Sequence, residues 1–166
     1  MSVPWGSPPA LTVPAWMPDE EISQVIEAHR EWIVCERAKQ RPRLRLDPRN
    51  VSEADARRAV RELVAMLIDE EAPAIGVEPA RVQIRDQRSR WGSCSTRGTL
   101  SFNWRLVLAP FEVLDYVVVH ELCHLREPNH SRRFWKLVEM HRPDWREHRD
   151  WLYEHGPELL AFRPVV

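Results

Sequence analysis

Cysteine is scarce in this chain. Cys35, Cys94 and Cys123 are odd in number and unevenly spaced. That excludes a disulfide framework and points to reduced thiols in a cytoplasmic protein. Long hydrophobic runs are also missing: no segment approaches the roughly 20 apolar residues needed to cross a bilayer, so no membrane partner is expected. Charge of one sign is not in excess either. Twenty-four basic and 25 acidic residues leave a formal net charge of -1, which argues against a general nucleic-acid surface and implies no stable nucleic-acid partner. Lysine is nearly absent, with only Lys39 and Lys136. A chain so rich in arginine and proline can reflect base composition, so arginine number alone carries no argument.

What is present fits one domain with a real core. Residues 1–18 hold five prolines and lack a basic stretch leading into an apolar run. They are expected to form an extended arm rather than a signal peptide, with Trp5 and Trp16 tacking it to a single domain over residues 19–160. Ile22, Val25, Ile26, His29 and Ile33 recur at helical spacing and predict a helix over residues 19–40. Pro42 ends it and opens a short linker. Ser52 with Asp55 reads as a cap for a second helix over residues 52–71, where Val60, Leu63, Val64, Leu67 and Ile68 share a face.

Strands are expected over residues 82–85 and 100–104, joined through the turn-rich WGSCSTRG segment. Pro110 suits the first turn of a helix reaching about Arg126. Tyr116 to Val119 favours a strand by propensity, but the histidine spacing that follows overrides this and makes the β-branched run a buried helix wall. Further helices are expected over residues 131–141, with Asn129 as a cap, and over residues 143–156.

The chemistry is concentrated in HELCHLREPNH, starting at His120. On a helix, His120 and His124 are one turn apart and can meet one ion from the same face. Glu121 lies about 100 degrees around the helix, where it can reach a water without taking a ligand position. His130, after the break at Pro128, can close a three-ligand site with one position open. Glu127, on the same stripe, and Glu139, in the next helix, are rival third ligands. Zinc suits this donor set. Arg90, Tyr116, His141 and His148 are candidate donors to a developing oxyanion. Phe134 and Trp135 are expected to brace His130. In RWGSCS, Gly92 permits a tight bend and Arg90 stands at the rim. The 100–104 strand is either part of a structural hairpin supporting the active helix or a cleft edge for an extended peptide, with Asn103 then a candidate group to hydrogen-bond the substrate or the residues behind the site.

Two stretches, RWGSCSTRGTLSFNWRLVLAP and DYVVVHELCHLREPNHSRRFW, resemble the YgjP-like metallopeptidase family, which is related to SprT-like and other zincin peptidases. The resemblance is strongest over residues 85–155. It implies an α+β, zincin-like domain with its HExxH helix packed beside a small β-sheet. It also implies zinc held by His120, His124 and His130, with Glu121 as the catalytic glutamate. A zinc-dependent peptidase acting on a peptide or protein substrate is therefore the leading expectation. The alternative is a metal-dependent phosphohydrolase acting on nucleotides, its phosphates clamped by Arg85, Arg88, Arg90, Arg97, Arg132 and Arg133.

Overall fold

The computed structural model describes residues 11–14, 16–29 and 52–164, and the chain divides into two units, Met1–Arg43 and Leu44–Val166. In the first unit, α1 (Asp19–Ala28) opens with three acids where the helix dipole favours them. None of its residues is buried, and Trp16 before it is exposed. The helix ends at Ala28 with His29 as its C-cap, short of the residue 40 expected, and Trp5, residues 30–40 and the linker around Pro42 lie outside the described residues.

The described residues of the second unit start at Ser52, whose side chain accepts from the Asp55 N–H and caps α2 (Glu53–Ile75). This helix runs a turn past the expected end. Ala72 and Ile75 are buried, and that burial holds the extra turn in spite of Pro73. Val60, Val64 and Leu67 bury its apolar face, as their spacing predicted.

Three short strands follow: β1 (Arg81–Arg85), β2 (Gly92–Cys94) and β3 (Thr99–Asn103). Their order is β1-β3-β2, with β1 parallel and β2 antiparallel to β3. Arg81 faces Thr99 at one end of the parallel pair, and Ser93 faces Ser101 in the antiparallel one. This corrects an expectation, because β3 is paired on both sides and cannot accept a further strand. The open edge beside β3 belongs to β2. The Asn103 N–H donates to the Trp91 carbonyl at 2.8 Å, and the Ser95 N–H to the Thr99 carbonyl at 2.9 Å. The alternation of an antiparallel ladder then turns the N–H and C=O groups of Gly92 and Cys94 away from β3.

A 3₁₀ turn, Trp104–Leu108, leads to α3 (Phe111–Cys123). Every residue from Val113 to Val119 is buried, as expected of a helix surrounded by other elements. It packs on α2, on the sheet, and on the two helices that follow. Helix α4 (Arg132–His141) is capped by Ser131, which accepts from the Phe134 N–H, and not by Asn129. Helix α5 (Trp145–Ala161) is longer than predicted, continuing past Gly156 and Pro157. The result is the α+β arrangement expected, a buried helix beside a small sheet. No described helix is long and apolar enough to cross a membrane.

One ion network ties the ends of these helices together. Arg142, between α4 and α5, grips both oxygens of Asp115 on α3, at 2.6 and 2.8 Å, and reaches Glu71 on α2 at 2.7 Å. Burial opposes the Arg142 charge, but the two carboxylates outweigh that penalty and hold its pKa further above its ordinary value. Arg142→Met should destabilise the fold by about 3–5 kcal/mol, because Asp115 and Glu71 lose their shared cation while remaining buried. Urea unfolding measures this, and a loss under about 1 kcal/mol would show that the network is not a main tie.

Candidate metal centre

The last turn of α3 carries the site. Its carbonyls give that end a partial negative charge, which favours a cation. His120 is in the final helical turn and His124 is the C-cap. The chain then turns at residues 124–126, and His130 arrives just ahead of α4. The three Nε2 atoms form a nearly equilateral triangle: His120 to His124 is 3.2 Å, His124 to His130 is 3.1 Å, and His120 to His130 is 3.0 Å. Among the described residues, these three histidines are the group of potential ligands within reach of one ion. Glu127 and Glu139, the rival third ligands, are not part of it. Glu139 instead pairs with Arg146 at 2.8 Å on the surface.

The His124 tautomer suits a cation. His124 Nδ1 lies 3.1 Å from the Glu127 carbonyl oxygen, which can only accept. The proton therefore belongs on Nδ1, and the Nε2 lone pair faces the triangle. His120 Nδ1 is 3.5 Å from the Tyr116 hydroxyl one turn earlier. Burial, together with the neighbouring His124 and His130, lowers the His120 pKa to about 3, so the ring is neutral at ordinary pH. Burial lowers His124 as well. The His124 Nε2 lone pair faces the other two Nε2 atoms at 3.2 and 3.1 Å, an arrangement that a cation between the three rings would satisfy. A tetrahedral ion with bonds of roughly 2.0–2.1 Å spaces its nitrogen ligands about 3.3 Å apart, close to the separations here. The donor set fits a zinc-like ion.

Aromatic rings hold the triangle in place. Phe134, fully buried, stacks on His124 with ring centroids 4.3 Å apart. Trp135 stacks on His130 at 5.5 Å and is itself backed by Trp145 at 4.2 Å. Phe134 and Trp135 thus brace the third histidine as expected.

Glu121 is buried, and burial pushes its carboxyl up to about 8. Its Oε2 is buried without a hydrogen-bond partner. An adjacent divalent cation would act in the opposite sense and favour the carboxylate. Gly92 on β2 lies directly against this side chain. A Cβ at Gly92 would come within 2.5 Å of Glu121 Oε1 and 2.6 Å of its Cγ. Gly92 is a strand residue with no special φ, so its role is to leave room for Glu121 and not to form the expected tight bend.

Asn103 also differs from expectation. It is fully buried, with its amide donating to the carbonyls of Gln87 and Arg90 at 2.7 and 3.0 Å and its carbonyl accepting from the Arg105 N–H. It braces the loop before β2 and has no surface left for substrate. Arg90, carried by that loop, is exposed and lines a pocket of about 450 Å³ that reaches His120 and Glu121. Of the other candidate donors, Tyr116 lines the pocket, and the His148 ring is 6.2 Å from Tyr116. His141 interacts instead with Glu71, Arg142 and Arg126.

Much of the pocket wall escaped the sequence reading. It comes from α5, where Leu152, Gly156 and Leu160 repeat at four-residue spacing, a helical stripe that could have signalled it. Gly156 lets Trp91 press on this helix, since a Cβ there would meet the Trp91 ring at 3.2 Å.

A buried helix presenting HExxH, a third histidine returned by the following turn, and an adjoining small sheet define a zincin-like metallopeptidase domain. Residues 47–155 match the family model described as "YgjP-like, metallopeptidase domain". The chain belongs to that family. Comparison with curated proteins and with solved structures returned no significant match.

Proposed function

We propose that the chain is a zinc-dependent peptidase in which His120, His124 and His130 hold the ion and Glu121 is the general base. The observation that carries this reading is the convergence of three histidine Nε2 atoms, 3.0 to 3.2 Å apart, beside a buried, unpartnered carboxylate. Bound there, zinc would supply a Lewis acid that polarises the scissile carbonyl and acidifies water.

Glu121 takes the proton of the attacking water and delivers it to the leaving amine. An extended substrate pairs with the outward N–H and C=O groups of Gly92 and Cys94 on β2. Because Gly92 touches Glu121, this pairing carries the peptide backbone past the catalytic acid. Tyr116 steadies His120, and the exposed Arg90 offers its guanidinium to the substrate backbone. The thiols of Cys94 and Cys123 are free, in keeping with a cytoplasmic setting.

The nucleotide alternative gains nothing from the family match, and of the arginines named for it only Arg90 lines the pocket. Zinc-loaded protein should release new amino termini from a peptide library and no phosphate from nucleoside triphosphates. Phosphate release without peptide cleavage would reverse the assignment.

A further inference from the structure

The pocket beside Glu121 is larger than acid–base chemistry requires, and its walls differ in character from its inner end. His120 and Glu121 form that inner end, so the pocket is continuous with the candidate metal centre. Its walls come from three elements: Trp91 on the loop before β2, Val117 on α3, and Leu152, Pro157 and Leu160 on α5. Arg90, Arg149 and Tyr153 stand among the lining residues as well, but Arg149 is engaged by Asp150 at 2.7 Å, and Arg90 and Tyr153 are exposed. None of the wall residues is acidic except Glu121 itself. A cationic substrate side chain would therefore be desolvated against apolar groups with no carboxylate beyond the catalytic one.

We propose that this pocket selects the substrate by taking the side chain of a large apolar residue, aromatic or long aliphatic, next to the scissile bond. The inference rests on the peptidase reading and specifies its substrate class. At about 450 Å³ the space admits one bulky side chain with room to spare. Trp91 and Pro157 supply flat faces for a ring, and Leu152 and Leu160 close the wall along one stripe of α5. Gly156 is part of the design, because it lets Trp91 approach α5 and form a continuous wall with it. An apolar pocket discriminates strongly against small or charged side chains, which either leave it unfilled or must be desolvated to enter.

Leu160 is the position at which to test this. It lines the pocket and is only half-buried, so replacing it disturbs the core little. Wild type, Leu160→Met and Leu160→Arg would be zinc-loaded and given a peptide library randomised around the cleaved bond. In parallel, binding of N-acetylphenylalanine amide and N-acetylaspartate amide would be followed by NMR. Wild type and Leu160→Met should favour a large apolar residue on one side of the cut by about 100-fold in kcat/KM over alanine or aspartate. Leu160→Arg should lose that preference at unchanged zinc content, and only the phenylalanine amide should bind, with its binding lost in Leu160→Arg. Cleavage by wild type with no apolar preference, or with a preference that survives Leu160→Arg, would overturn the pocket assignment and leave the peptidase reading standing. Pocket-dependent binding of the phenylalanine amide without cleavage of any peptide would overturn the peptidase reading instead.

Discussion

Glu121→Gln should abolish peptide hydrolysis, lowering kcat by about 10³-fold while leaving zinc content unchanged. Glutamine matches glutamate in size, so the buried space beside the histidines stays filled. It cannot accept the proton of the attacking water, and a positioned general base contributes roughly 10²–10⁴-fold. The three histidines are untouched by the change, and the His124 tautomer is set by the Glu127 carbonyl rather than by Glu121. Metal analysis beside steady-state kinetics on one peptide separates the two roles. A variant that keeps more than a tenth of wild-type kcat would remove Glu121 from the mechanism. A variant that loses its zinc would make Glu121 part of the metal site.

Gly92→Ala should have nearly as large an effect from a residue that carries no chemistry. The new methyl group would lie 2.5 Å from Glu121 Oε1, far inside contact distance. β2 is held by its ladder to β3, so the Glu121 side chain is the part that must move. Displacing a catalytic group by about 1 Å costs on the order of 100-fold in rate. KM and zinc content should change little, because the ligands are not touched, while overpacking against the buried Glu121 should cost about 1–3 kcal/mol of stability. The pH profile should report the change too, since the displaced carboxyl titrates in a different environment. Unchanged kcat would show that Glu121 can act from another rotamer.

The candidate metal site was the most legible part of the chain because its information is local. His120, Glu121 and His124 fall within one helical turn, and periodicity alone puts the two rings on one face. The break before His130 was marked by Pro128, and the Nε2 triangle follows from that return. Propensity alone favours a strand at Tyr116–Val119, but the histidine spacing that follows overrides it, and the β-branched run does line a buried helix.

What the sequence hid was non-local. β2 is three residues long with no alternation to recognise, and it exists because β3 is there to pair with it. The parallel pairing of β1 with β3 brings together residues that no spacing rule connects. Asn103 looked like a polar group near a motif, whereas the carbonyls of Gln87 and Arg90 claim it. Gly92 looked like a turn residue, and its function appears only when Glu121 is seen against it. The pocket unites Trp91, Val117 and Leu160 from three distant segments, so folding alone assembles it.

Metal-free protein titrated with zinc, with peptide turnover followed in the same sample, tests the metal-dependent peptidase most directly. Turnover should rise in proportion to zinc up to one equivalent per chain, fall to background with chelator, and return when zinc is restored. Turnover indifferent to zinc and chelator would contradict it, and so would one tightly bound zinc per chain with no peptide cleaved.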